Sequence, residues 1–210
     1  MEYKMAAERA RAVYEEKRSK FIATVTPVEN EEAALEFVNS VKTEFYDARH
    51  NVFAYLIKDG AVKFSDDGEP QGTGGMPVLE VLRKRSVVNT AVVVTRYFGG
   101  ILLGAPGLVR AYTHSAAAAL DKAGISSMSL CDVLKVECGY DFFARAEKFL
   151  RKCGGYIKER NFGEAVTLNI LMPKDRTAEF CAELTELSGG TVNAAADGET
   201  YINENLIKNK

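Results

Sequence analysis

An α+β fold in two domains is what the sequence predicts, and three observations carry that prediction. Apolar runs at period two alternate along the chain with apolar runs at helical spacing. The second part follows a β-α-β-β-α-β order, with glycine pairs closing its helices. Hydrophobic residues make up 47% of the 210 residues, enough for a real core in one large domain or two of about 100 residues each.

After a polar start, Glu8 to Tyr14 alternates charge with Ala10 and Ala12 in strand fashion. Ser19 to Val25 reads as a second strand, stopped by Pro27. From Glu31 onward, Ala34, Leu35, Phe37, Val38 and Val41 recur at helical spacing behind an acidic first turn that suits the helix dipole. Asn51 to Ile57 is a strand, and Asp59-Gly60 signals a hairpin into Ala61 to Phe64. Ser65 to Gly75 is too rich in Gly and Pro for a regular element and reads as a loop. Pro77 opens a helix that ends in Arg83-Lys84-Arg85. Ala91 to Phe98 is the most strand-like run, and its unbroken apolar stretch predicts burial on both faces. Gly99-Gly100 and Gly104-Ala105-Pro106-Gly107 lead into a helix from Leu108 to Ala123, closed by Gly124. Its run from Ala116 to Ala119 lets the helix approach a sheet closely.

The predicted domains are residues 1–127 and 128–202, with a frayed polar tail over 203–210. In the second domain a strand covers Leu130 to Cys138. A helix from Asp141 to Cys153 follows, with Phe142, Ala146, Phe149 and Leu150 inward. Tyr156 to Arg160 is a strand, Asn161-Phe162-Gly163 a turn, and Val166, Leu168, Ile170 and Met172 mark the next strand at period two. A helix from Asp175 to Leu187 turns Phe180, Cys181 and Leu184 inward, and Thr191 to Ala196 is the last strand. This order is the ferredoxin-like pattern.

Charge excludes a strongly basic nucleic-acid binder. The formal net charge is −2, and a split near Ser127 divides the 27 Lys+Arg and 29 Asp+Glu into 16 against 16 and 11 against 13. Any RNA contact must therefore come from a local patch. Lys17-Arg18-Ser19-Lys20 and Arg83-Lys84-Arg85 are the short candidates, although clusters of this length are usually solvated faces. Cys131, Cys138, Cys153 and Cys181 show no metal or redox spacing and read as buried small hydrophobes. With no signal peptide and no membrane-length apolar run, the expectation is a cytoplasmic protein without membrane contact.

The residues with chemistry gather in three places: Arg49 and His50; Ser65, Asp66, Asp67, Gly68, Glu69, Gly72 and Thr73; and Arg96, Tyr97, Gly99, Gly100, Gly104 and Gly107. Glycines before a helix free backbone N–H groups to face an anion, and Arg96 at a strand end adds a fork-shaped charge suited to phosphate or carboxylate. The alternative is a tight strand-to-helix turn, with Arg96 paired to an acid such as Asp66 or Asp67. The glycine spacing matches neither a Walker A loop nor a dinucleotide fingerprint. Three carboxylates within four residues could hold Mg²⁺ or supply a general base, but such loops more often cap their own backbone. No catalytic residue, metal site or cofactor is assigned: His50 lacks a nucleophile elbow beside it, and His114 lies within a helix.

Taken together, Lys20-Phe21, Asp47-Ala48-Arg49-His50, Ser65-Asp66-Asp67-Gly68-Glu69-Pro70 with Gly72-Thr73, and Arg96-Tyr97-Phe98-Gly99-Gly100 with Leu103-Gly104 and Gly107-Leu108 resemble the YigZ/IMPACT family in its bacterial two-domain form. The resemblance implies an N-terminal domain similar to domain 2 of ribosomal protein S5 and a C-terminal domain similar to the ferredoxin-like domains of elongation factor G. It further implies kinship with eukaryotic translational regulators, which compete for an activator of a starvation-responsive initiation-factor kinase. The resemblance implies that those relatives act with an additional N-terminal domain, for which no counterpart is expected here.

The favoured expectation is a non-enzymatic, translation-associated protein that binds RNA, the ribosome or a translation-regulatory protein partner through the glycine/arginine site. The alternatives are an enzyme acting on a phosphorylated or carboxylate small molecule, and a protein-interaction module working through the second domain. The first reading requires Lys17, Arg18, Lys20, Arg49, Arg83 and Arg96 to gather on one face.

Overall fold

The structure, a computed structural model, describes residues 2–204. The chain divides into two compact units, Tyr3–Ser126 and a second that begins at Ser127 and takes in Glu2.

Strand β1 (Glu2–Ala6) falls in the stretch expected to be a polar start. Its backbone is tied down: the buried Ala6 N–H donates to Thr90 Oγ1 at 3.0 Å, and Val88 N–H donates to the Lys4 carbonyl at 2.8 Å. The main sheet of the first unit is antiparallel throughout. Its order is β2 (Ala10–Glu16), β3 (Ser19–Pro27), β6 (Thr90–Tyr97), β4 (His50–Leu56), β5 (Val62–Ser65). Pro27 ends β3 from inside rather than from beyond it.

Helix α1 (Glu31–Glu44) covers one face of this sheet, and α2 (Gly75–Lys84) with α3 (Gly104–Ala123) cover the other. Strand alternation decides which side chains serve which face. Ala91 and Val93 pack on α1 with Phe37, Val38 and Val41, whereas Val92 and Val94 pack with Leu79, Leu82, Tyr112 and Leu120. The β6 strand is thus buried on both faces, as its unbroken apolar run requires. Each such valine contributes about 1.5–3 kcal/mol through burial. Asn30 caps α1 by accepting the Ala33 N–H at 2.9 Å, with Glu31 and Glu32 in the first turn. Both α2 and α3 start earlier than expected. Gly75 rather than Pro77 opens α2, and Gly104 rather than Leu108 opens α3.

The second unit carries β7 (Ile125–Cys138), α4 (Tyr140–Lys152), β8 (Tyr156–Phe162), β9 (Val166–Pro173), α5 (Thr177–Leu187) and β10 (Ala194–Asn203). The β-α-β-β-α-β order is therefore present, and its four strands lie as β10-β7-β9-β8, all antiparallel. Val166, Leu168, Ile170 and Met172 face α4 and α5 and close a core with Ala146, Leu150, Phe180 and Leu184. Three expectations need correction. Asn161 and Phe162 belong to β8, paired with Thr167 and Val166, and not to the turn. The last strand is not Thr191 to Ala196 but starts at Ala194 and runs to Asn203, pairing with β7 from Val136 down to Met128. Pairing with that long strand holds the polar sequence extended. Asn203 accordingly belongs to a strand and not to a tail, while 205–210 lie outside the described residues.

Candidate functional site

Loop 66–74 joins β5 to α2 and is organised by its own carboxylates. Asp66 accepts the N–H groups of Gly72 (2.7 Å), Gly74 (2.9 Å) and Gly75 (2.8 Å). It thereby satisfies the donors at the start of α2, which has no side-chain cap at Gly74. Burial works to raise the Asp66 carboxyl, but the three N–H donors outweigh it and hold it below its ordinary value. Asp67 accepts the Asn51 N–H at 2.6 Å and Lys42 Nζ at 2.8 Å, and its carbonyl meets His50 Nδ1 at 2.8 Å. Ser65 Oγ accepts the Asp67 N–H at 3.1 Å, and Thr73 Oγ1 donates to the Pro70 carbonyl at 2.6 Å. Asp67 and Gly68 both sit at positive φ (47° and 85°), and Gly68 lies against the His50 ring.

Arg96 near the end of β6 is 5% exposed, and its partner is Glu69 rather than Asp66 or Asp67. The two aspartates are taken up by backbone N–H groups and Lys42, so neither carboxylate is left to meet it. Arg96 Nη1 donates to Glu69 Oε1 at 2.6 Å, and the same oxygen accepts the Tyr112 hydroxyl at 2.7 Å. The guanidinium lies 5.5 Å from the Phe21 ring and 5.7 Å from the Phe98 ring, and its buried Nε has no partner. Burial and then the adjacent Glu69 charge drive the Tyr112 hydroxyl far above its ordinary range, so it stays a donor. Ser19 Oγ accepts the Gly99 N–H at 3.1 Å, which anchors the Gly99-Gly100 turn to the start of β3.

Sequence reasoning missed Ser19, Tyr112, Lys42 and Asn51. Tyr112 carried a readable signal: a tyrosine on the inward face of an alanine-rich helix needs a partner for its hydroxyl. Gly107 is placed differently from the expectation. It is buried in the first turn of α3 rather than free ahead of the helix, while Gly72, Gly100 and Gly104 are exposed.

The sheet register arranges the cations. Phe21, Arg96 and His50 form one cross-strand row and face α2 and α3. In the next row Lys20 pairs with Tyr97, and Arg49 immediately precedes His50 on β4's side of Tyr97. Tyr97 Oη donates to Asp47 Oδ1 at 2.7 Å, which together with partial burial raises its hydroxyl. Lys17, Arg18, Lys20 and Arg49 thus share the end of the sheet where β6 finishes, and all four are exposed. Arg96 is not among them, being buried on Glu69 in the row that faces α2 and α3, and neither is Arg83. Arg83 lies in the last turn of α2 on Glu80, next to an Arg85 that bridges to Asp121 near the far end of α3.

These residues fall inside a match to the Impact N-terminal domain over residues 17–120, and a domain of unknown function (DUF1949) matches residues 136–191. The chain is 37% identical over 187 residues to IMPACT family member YvyE of Bacillus subtilis, covering 88% of this chain and 86% of that one. The chain belongs to the IMPACT family. IMPACT family member YigZ of Escherichia coli is 36% identical over 188 residues, with 88% and 92% covered. Protein IMPACT of Rattus norvegicus is 33% identical over 99 residues, and only 30% of its length is covered. The fold is also similar to a crystal structure of a hypothetical protein, with TM-score 0.62 and 35% identity over 93% of this chain and 97% of that one. Among the described residues there is no helix long and apolar enough to cross a membrane and no cluster of three His, Cys, Asp or Glu that could hold a metal ion.

Proposed function

We propose that this chain is a cytoplasmic, non-enzymatic, translation-associated protein that binds RNA with the end of the first unit's sheet. The observation that carries the reading is the Lys20–Tyr97 cross-strand pair with Arg49 just ahead of β4 at the same sheet end, flanked by the Lys17-Arg18 turn. Beside it stands the exposed ring of Tyr46 (85% exposed), close to Tyr97, while Phe98 (45%) lies on the Arg96 face of the same sheet end. Cations that follow a phosphate backbone, next to rings on which bases stack, form the usual single-strand platform. Against enzymatic chemistry stands the use already made of the polar groups: Asp66, Asp67, Glu69 and Arg96 each hold another part of the site in place. The fold reading belongs with this proposal. A first unit similar to domain 2 of ribosomal protein S5 and a ferredoxin-like second unit are both translation-type folds, and the β10-β7-β9-β8 order supports the latter.

The test is RNA binding by the full chain at several salt concentrations, with Lys20→Ala and Arg49→Ala combined in one variant. Affinity is expected to fall steeply with salt, and the double variant to reduce the salt slope by about two. Absence of binding at low salt overturns the RNA reading.

A further inference from the structure

On the opposite face of the sheet from the Lys20–Tyr97 row, the edge formed by β2 and the first turns of α3 enclose a cavity of about 270 Å³. Leu103, Gly107 and Ala111 make its apolar wall, and the Tyr14 and His114 rings, with centroids 4.4 Å apart and planes tilted by 46°, close one side. Lys17, Arg110 and His114 bring nitrogen donors to it from two separate elements.

Two cations from separate elements line this cavity together. In the first unit Arg11, Lys42, Lys58, Lys63, Arg83, Arg85 and Arg96 each hold a carboxylate, whereas Lys4, Arg9, Arg18, Lys20, Arg49, Lys84 and Lys122 hold none among the described residues. Among the described residues Lys17 and Arg110 likewise hold none, although Glu16 lines the same cavity. Glu16 is engaged by the Tyr14 hydroxyl, which donates to its Oε2 at 2.8 Å. Lys17 is also held in left-handed backbone (φ 45°) in a two-residue turn, a conformation suited to Asn or Gly and costly for lysine. The uncapped start of α3 adds the positive end of its dipole beside Gly107. Two unpaired cations, an imidazole and a backbone approach without a side chain at Gly107 suit a tetrahedral dianion.

We infer that this cavity binds a phosphate monoester, with Arg110 and Lys17 as the charged clamp and His114 as a further donor. The volume admits a phosphorylated sugar but not a drug-sized molecule. The inference rests on the cavity and not on the RNA reading: Lys17 flanks the Lys20–Tyr97 row and also lines the cavity, whereas Arg110 and His114 belong to the cavity alone.

The test is titration of the full chain with ribose 5-phosphate, with unphosphorylated ribose as the control, followed by amide and side-chain NMR shifts. Ribose 5-phosphate is expected to move resonances of Lys17, Gly107, Arg110 and His114 at saturation, and ribose to move none. Arg110→Gln and Lys17→Asn are each expected to weaken binding about tenfold, the scale of one lost charge-assisted hydrogen bond. Lys17→Asn keeps the fold, since Asn tolerates the turn's backbone. Two RNA oligonucleotides, one with a 5′-phosphate and one with a 5′-hydroxyl, distinguish the sources. Shifts at the cavity with the phosphorylated oligonucleotide but not with ribose 5-phosphate assign the monoester to an RNA end. No localised shift with either phosphorylated probe, or shifts that both variants leave unchanged, would overturn the proposal.

Discussion

Arg96 and Glu69 share an ion pair whose side chains are 6% and 3% exposed, so each charge depends on the other for solvation. Removing one partner strands the other in a low-dielectric site. Glu69→Ala is therefore expected to cost about 3–5 kcal/mol, read by urea unfolding. Tyr112→Phe removes only one of the two donors to Glu69 and is expected to cost about 1 kcal/mol. Asp66 makes stability depend on acid. Its carboxyl is held below the ordinary 3.8 in the folded chain. Its contribution is thus fully present above 3.8 and is lost as pH falls toward the depressed folded value. Melting temperature should drop over that range in the parent chain and less so in Asp66→Asn. Residue types told part of this: the motif loop announced a polar site, and Arg96 at a strand end announced a fixed charge. What the chain order hid was who holds whom. The Arg96–Glu69 pair spans 27 positions and the Tyr112–Glu69 bond 43, and several acids nearby are equally plausible until the backbone N–H groups have claimed two of them.

Among the elements, the β2–β3 hairpin is the most constrained. Lys17 and Arg18 both sit at positive φ (45° and 67°), and Gly99 packs so closely that an added Cβ would lie 2.0 Å from the Arg18 carbonyl carbon. Gly99→Ala must displace backbone and is expected to lower stability by several kcal/mol, measured by denaturant unfolding. Arg18→Gly is expected to raise it by about 1 kcal/mol by relieving left-handed strain. Helices and central strands were readable because burial imposes a period, as in Val166 to Met172 or Ala34 to Val41. Strand β1 and the second half of β10 were not. Their exposure pattern is mixed, and pairing with other strands, rather than their own apolar period, holds them extended.

For the molecule as a whole, near-neutral charge means that recognition must be local, which is why four exposed cations at one sheet end carry more weight than the balance of 27 against 29. Its thiols are unevenly shared as well: all four cysteines lie in the second unit and none in the first. All are unpaired, and burial raises every one of them, Cys131 to about 11. An Ellman reagent should therefore react slowly with the native chain at neutral pH and release four equivalents in guanidinium; rapid native reaction of Cys131 and Cys138 would contradict their burial. This distribution gives the chain an intrinsic labelling asymmetry. Mass added by a thiol reagent during a denaturant pulse dates the opening of one unit, while the other stays silent to the reagent.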